Sequence, residues 1–322
     1  MNSLMRAAVL TGPARMEMAE VPVPQPGPGE VRIKLEGCGV CASNIEPFEG
    51  QPWSSFPGEA GGMGHEGWGL VDALGAGVTT LAIGTRVASL AHRSFAEYDV
   101  VAADAVVELP ASLAGQPFPG EPLACALNIF RRSDIVAGQT VAIVGIGFLG
   151  AVLTKLASDA GARVIAISRR RESLDLATRY GATETIVMDD HWAIIDAVKR
   201  LTDDRLCERV IEAVGKQWPL DLAGELVGFG GKLIVAGYHQ DGPRQVNMQM
   251  WNWKGIDVVN AHERDPAVNL RGLREAVDAV ASGRIDAAAL YTHRYPLDSL
   301  GEAIVATRDK PQGFVKALVM YD

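Results

Sequence analysis

Two textures follow one another along the chain. Up to about residue 120, short apolar or alternating runs are separated by glycine and proline: RAAVL (6–10), VRIKL (31–35), WGLVDAL (68–74), TRVASL (85–90) and EYDVV (97–101). Strands of this length, punctuated by segments such as VPVPQPGPGE, predict a β-rich, barrel-like unit. Beyond residue 120 the runs become continuously apolar and alternate with helical periodicity. The segment TVAIVGIGFLGAVLTKLASDAGARVIAIS (140–168) reads as strand, glycine turn, amphipathic helix and strand. Further strands are expected at TETIVM (183–188), RVIEAV (209–214), KLIVAG (232–237) and IDVVN (256–260), with helical patterns between the first four strands of the series. Strands apolar on both faces, joined through helices, predict a parallel sheet, and six of them fit a doubly wound α/β fold. The C-terminal stretch carries a helix, NLRGLREAVDAVASG, and a strand-like FVKALVM, and is expected to return to the first unit. The predicted division is 1–121, 122–262 and 263–322.

Composition narrows the function classes. The 322 residues are 48% hydrophobic and 21% charged, with a formal net charge of −9. The one basic tract is Arg169-Arg170-Arg171, so nucleic-acid binding is not expected. No run approaches the about 18 apolar residues of a membrane span, and the opening MNSLMRAAVL is too short in its apolar part for a secretory signal. A cytoplasmic protein is expected. Its four cysteines (38, 41, 125 and 207) should then be reduced thiols rather than a disulfide framework.

The glycine turn is the first chemical signal. GIGFLG places Gly145, Gly147 and Gly150 in the G-x-G-x-x-G pattern, with Phe148 and Leu149 between them, after a strand and at the start of a helix. Gly145 suits the tight turn, Gly147 the approach of a pyrophosphate, and Gly150 close packing of helix on sheet. The helix start then presents N–H groups and a positive dipole end to the phosphates. Where an NAD site carries an acid at the end of the second strand, this chain has Ser168, followed by Arg169 and Arg170. A hydroxyl with guanidinium groups suits a 2′-phosphate, so NADP(H) is predicted over NAD(H). A solvated helix start, with the arginines pairing to Glu172 or Asp175, is the plainer alternative.

The second signal is GCGVCASNIE (37–46), followed by GGMGHEG (61–67). The surroundings suit neither a four-cysteine zinc knuckle nor a thioredoxin-like redox pair. A thiol, a histidine and carboxylates do suit a catalytic zinc, which keeps one position open.

The segments GCGVCASN, GHEG, VGIGFLG, GGKLIVAGY and THRYPLDSLGEAI, in this order over nearly the whole chain, resemble the zinc-dependent medium-chain dehydrogenase/reductase family of alcohol and polyol dehydrogenases. The resemblance implies a GroES-like catalytic domain, a Rossmann domain and an active site in the cleft between them. It implies that Cys41 rather than Cys38 ligates zinc, with His65 and Glu66 from the GHE motif. Glu121 in GEPLACALN matches the polyol branch's further ligand, and Cys125 is a reserve candidate. Val214 and Gly237 are implied near the nicotinamide.

Three departures from the family pattern stand out. The loop with four cysteines for a structural zinc is missing between GTRVASLAH and FAEYDVV, so one zinc per chain is expected; His92 and Arg93 stand at that junction. The acid that often follows the cysteine motif is Asn44. The relay histidine is replaced by Glu46, which leaves the hydroxyl of Ser43 as the expected proton relay. Ser43 and Glu46 also spell a helix capping box.

The expected chemistry is hydride transfer between a nicotinamide and a secondary alcohol, ketone, sugar or polyol, with zinc as Lewis acid. Candidate substrate contacts are Trp53, Trp251, Trp253, His262, Glu263 and Arg264. The rival readings are a zinc-free enone or quinone reductase on the same fold and a non-catalytic NADPH-binding sensor. A homodimer or homotetramer is expected from the resemblance.

Overall fold

The structure is a computed structural model and describes residues 3–321. The chain divides into two compact units, one of residues 1–124 with 265–322 and the other of residues 125–264. The first boundary falls inside a helix.

The chain opens with an antiparallel pair, β1 (Leu4–Gly12) and β2 (Arg15–Pro22). The long β3 (Glu30–Val40) follows, then a 3₁₀ turn over Ala42–Asn44 and the short helix α1 (Ile45–Glu49). Next come β4 (Gly67–Leu74), β5 (Arg86–Ser89), β6 (Tyr98–Ala102) and β7 (Val106–Glu108), and α2 (Gly120–Ser133) holds the boundary.

The second unit alternates strands and helices: β8 (Thr140–Val144), α3 (Phe148–Asp159), β9 (Arg163–Ser168), α4 (Arg171–Arg179) and β10 (Glu184–Val187). It continues with α5 (His191–Leu201), β11 (Cys207–Glu212), α6 (Gln217–Leu226), β12 (Val227–Val235), α7 (Met248–Lys254) and β13 (Asp257–Asn260). Its six strands are all parallel, in the order β10-β9-β8-β11-β12-β13. That is a doubly wound Rossmann sheet whose strand order reverses between β8 and β11. Val144, Ile165, Ile167, Val210 and Leu233 are buried in its core, as their continuous apolar runs require.

The return segment supplies α8 (Pro266–Ala281), β14 (Tyr291–Pro296), α9 (Leu300–Asp309) and β15 (Lys316–Met320). It completes a seven-stranded sheet in the order β14-β15-β3-β4-β5-β7, with β6 also paired to β3. β15 runs antiparallel to β3, with Ala317 opposite Val40 and Val319 opposite Cys38. β4 lies on the other side of β3, with Gly67 opposite Cys38. The end of β3 and the starts of β4 and β15 therefore meet at one edge of the sheet.

Every strand expected from an apolar run is present. The pattern did not predict β2, β7, β14, α7 and α9. β2 and β14 alternate half-buried with exposed residues, and β7 has three residues. α7 has only seven, too few for a helical period to show; it is set by Asn247, whose side chain accepts from the Met250 N–H at 3.0 Å, and it ends at Gly255 in the left-handed region.

Candidate active site

The meeting point of β3, β4 and β15 is where chemistry-bearing side chains converge. Cys41 follows β3, and His65-Glu66 precede β4. The ligand atoms of Cys41, His65 and Glu66 all lie within 4.8 Å of one another. One Glu66 oxygen accepts from Lys316 Nζ at 2.6 Å, from the first residue of β15, and both side chains are buried. The other, Oε2, is buried with no hydrogen-bond partner. A buried carboxylate oxygen without a partner is costly, so it marks a place where a cation would be welcome. Gly39 makes room for it: a Cβ there would stand 1.8 Å from Glu66 Oε2. Thiol, imidazole and carboxylate are the donor set that zinc takes, so these residues fit the metal.

The supporting shell is ordered by hydrogen bonds. Met63 carbonyl oxygen lies 2.8 Å from His65 Nδ1 and 3.0 Å from the amide nitrogen of Asn44, which donates to it. A carbonyl can only accept, so Nδ1 carries the proton and Nε2 is left for a metal. Asn44 Oδ1 accepts from the Cys41 N–H at 2.9 Å. Asn44 thus joins the thiol and histidine loops, through a donor and an acceptor that a carboxylate would not both supply. The Ser43–Glu46 capping box does not form. Ser43 lies within the 3₁₀ turn and is half-buried, the N–H of the turn's cap residue Cys41 donates to Asn44 instead, and Glu46 Oε2 accepts from Gln51 Nε2 at 2.5 Å. The chain turns two residues earlier than S-x-x-E predicts, because Asn44 closes it onto Cys41.

The two cysteines of the motif have their pKa values moved in opposite directions. Burial pushes the Cys38 thiol well up, with the charge of Glu66 adding to it. Burial also works against a Cys41 thiolate, but the hydrogen bond and charge of His65 win and bring Cys41 below its ordinary value. Burial opposes the charge on His65 as well; the Cys41 hydrogen bond and the charges of Cys41, Glu121 and Glu66 raise it to about 10. Glu121, in the first turn of α2, stands outside the 4.8 Å cluster, yet its charge contributes to raising both His65 and Lys316.

In the second unit the candidate nucleotide site lies at the carboxyl edge of the Rossmann sheet. Gly145 has φ +101°, a conformation that disfavours any side chain, and its N–H donates to Ile167 at 2.8 Å. A Cβ on Gly150 would stand 2.0 Å from the Gly145 carbonyl oxygen, so helix and turn touch through backbone. A Cβ on Gly147 would meet nothing within 4 Å, which leaves open space before the positive end of α3, where Phe148 and Leu149 begin the helix. The site fits a dinucleotide phosphate. Val214 is brought against Gly145: a Cβ there would lie 2.4 Å from Val214 Cγ2. Ser168 ends β9 and is buried. Arg170 is half-buried, 3.9 Å from Glu172, and burial lowers its pKa; Arg169 is exposed.

Of the candidate substrate contacts, Trp251 packs against the Rossmann core, and Trp53 and Trp253 are exposed. His262 stacks on Tyr238 with centroids 5.3 Å apart, and Glu263 accepts from the Arg264 N–H at 2.7 Å. Arg93 is tied to Glu59 and Asp99, while His92 is exposed. Sequence reasoning missed Lys316. Its signal was a single charge inside the apolar run FVKALVM. It also missed Glu212 and His239, discussed below.

Residues 27–111 match the alcohol dehydrogenase GroES-like domain, and residues 149–280 match the zinc-binding dehydrogenase family. The chain belongs to the zinc-type medium-chain dehydrogenases. Relatives of this dehydrogenase include an alcohol dehydrogenase of Geobacillus stearothermophilus, 27% identical over 87% of this chain and 90% of the relative. A sorbitol dehydrogenase of Halalkalibacterium halodurans is 27% identical over 94% of this chain and 96% of its own length. Among solved structures, a protein assigned as a zinc-binding dehydrogenase from Sinorhizobium meliloti 1021, bound to NADP, has a TM-score of 0.84 at 28% identity, with 99% of each chain covered. The dehydrogenase described here is accordingly an oxidoreductase of the alcohol and polyol type, acting on CH–OH groups of small molecules. Among its described residues, no helix is long and apolar enough to cross a membrane.

Proposed function

We propose that this chain is a zinc- and NADP(H)-dependent dehydrogenase of secondary alcohols, sugars or polyols, working in either direction. The observation that carries the reading is the Cys41–His65–Glu66 cluster, half-buried at Cys41 and His65 and fully buried at Glu66, with its partnerless carboxylate oxygen. Cys41 and His65 would hold one zinc through Sγ and Nε2, with Glu66 or Glu121 as carboxylate ligand. Bound there, zinc supplies a Lewis acid that favours alkoxide over alcohol and polarises a carbonyl, and the nicotinamide supplies the hydride carrier.

The remaining work falls to the chain itself. Asn44 and the Met63 carbonyl fix the orientation of Cys41 and His65. Lys316 holds Glu66 in place. Ser43, half-buried two residues beyond Cys41, takes the hydroxyl proton of the alcohol and passes it outward. Gly145, Gly147 and the first turn of α3 bind the pyrophosphate, Ser168 with Arg169 and Arg170 the 2′-phosphate, and Val214 and Gly237 flank the nicotinamide. A zinc-free reductase would have no use for a thiol, an imidazole and a buried carboxylate within 4.8 Å.

The test is metal content per chain on protein purified without chelators, followed by a screen of secondary alcohols and polyols with NADP⁺. About one zinc per chain is expected. Metal-free protein that reduces enones or quinones with NADPH would overturn the reading.

A further inference from the structure

At the carboxyl edge of the Rossmann sheet, between β11 and β12, lies a charged group that the proposed chemistry leaves unused. Glu212 is the last residue of β11 and is fully buried. Its Oε1 accepts from the backbone N–H of Val214 and of Gly215, each at 2.7 Å. Its Oε2 lies 3.0 Å from His239 Nε2. The other ring nitrogen, Nδ1, lies 2.8 Å from Arg244 Nε. A guanidinium can only donate, so Nδ1 accepts and the proton sits on Nε2, donated to Glu212. Arg244 is anchored in turn by Asp241 and by the Gly215 carbonyl, at 2.9 Å from the latter. A carboxylate, a neutral imidazole and a guanidinium thus form one directed chain.

This chain of bonds spans two turns. One is the β11–α6 turn at Val214–Gly215; the other follows β12 at Gly237–His239. The turns touch through backbone: a Cβ on Gly237 would stand 2.2 Å from the Gly215 nitrogen. The N–H groups of Ala236 and Gly237 donate to the Glu212 carbonyl oxygen at 2.9 and 2.8 Å, and the buried carboxylate extends this junction into the turns themselves, holding one by two N–H groups and the other by His239.

We propose that Glu212, His239 and Arg244 are positioning residues that hold the two turns in register to receive the nicotinamide ring, and that His239 sets the fit of that ring rather than the grip on the rest of the nucleotide. The proposal rests on the reading that Val214 and Gly237 flank the nicotinamide. His239→Leu removes both bonds. His239→Gln keeps them, because a glutamine amide carries a donor and an acceptor at nearly the spacing of the imidazole nitrogens.

The experiment compares fluorescence-titrated affinities of NADPH and of 2′-phospho-ADP-ribose, which lacks the ring; if the starting protein prefers NADH, that ligand and ADP-ribose are used. His239→Leu should weaken the dinucleotide about tenfold and leave the ring-less ligand within about twofold, and His239→Gln should restore most of the loss. Equal weakening of both ligands, or of neither, overturns the proposal. Should His239→Leu not fold, Arg244→Leu is read by the same criteria. Val214→Trp separates the underlying reading. If it leaves dinucleotide affinity unchanged, the ring does not lie there and both statements fall. If it weakens only the dinucleotide while His239→Leu does not, the positioning role alone fails.

Discussion

The candidate metal site in the first unit is made of side chains, while the candidate nucleotide site in the second is made largely of backbone. Cys41, His65 and Glu66 come from two separate segments, and each offers one potential ligand atom of its own chemistry: a thiol sulfur, an imidazole nitrogen and a carboxylate oxygen. Their order depends on hydrogen bonds from Asn44 and on the ion pair from Lys316. The glycine turn after β8 contributes almost no side-chain chemistry. Its value lies in what is missing: a Cβ at Gly147 would project into open space, and one at Gly150 would strike the Gly145 carbonyl. A side-chain site is therefore broken by changing an atom's chemistry, and a backbone site by adding an atom's volume.

The sharpest break of the first kind separates the two cysteines. Cys41→Ala should remove zinc and with it a Lewis acid worth about 4 kcal/mol, roughly a thousandfold in turnover. Cys38→Ala should leave metal content and activity largely intact, because Cys38 is a core thiol that burial keeps protonated. Metal analysis with steady-state rates on both variants decides it, and the reverse pattern would move the ligand to Cys38.

Lys316→Met removes the partner of a fully buried carboxylate. Breaking such a pair from one side costs about 3–5 kcal/mol, for a unit of this size about 10 °C of melting temperature. Zinc should repay part of that loss, because it gives Glu66 another cation. The difference in melting temperature between Lys316→Met and the starting protein should therefore widen after chelation. A difference that chelation leaves unchanged would place the pair outside the metal's influence.

On the backbone side, Gly150→Ala should force the start of α3 away from the turn. Overpacking of this kind costs about 1–3 kcal/mol. The signature to seek is a loss of dinucleotide affinity with metal content unchanged, since the two sites belong to different units. Loss of zinc in this variant would show that the two sites are not independent.

Much of this organisation was legible in the sequence, and the reasons differ between the halves. The Rossmann strands could be read because burial on both faces makes them continuously apolar, and the glycine turn because its spacing follows from steric need. A thiol of the cysteine pair, His65 and Glu66 could be singled out by residue type, Cys41 over Cys38 only through the family resemblance, and the structure draws Cys41, His65 and Glu66 together. The support around them could not. Lys316 is 250 positions from Glu66, and only the antiparallel pairing of β15 with β3 brings it to the candidate metal site. Asn44 read as a weakened acid; its value as donor and acceptor at once appears only when Met63 and Cys41 are both within reach. Glu212 and His239 sit in unremarkable text, VIEAVGK and AGYHQ, and become a pair only because β11 and β12 are neighbours. Side-chain partnerships across strands carry no spacing rule, whereas backbone contacts within one turn do.

The smallest effect tests the one place where side chains complete the backbone site. Arg170 is steadied by Glu172 and Arg169 is exposed beyond it, with Ser168 buried at the strand end. If these groups bind a 2′-phosphate, Arg169→Ala should weaken NADPH about tenfold, the loss of one charge-assisted contact, and leave NADH within about twofold. Ser168→Asp should go further and invert the preference, because a carboxylate accepts from a ribose diol but repels a phosphate. Titration of both nucleotides against the three proteins gives the answer. NADH binding more tightly than NADPH to the starting protein would make the arginines a solvated helix start, and the nucleotide site would then rest on backbone alone.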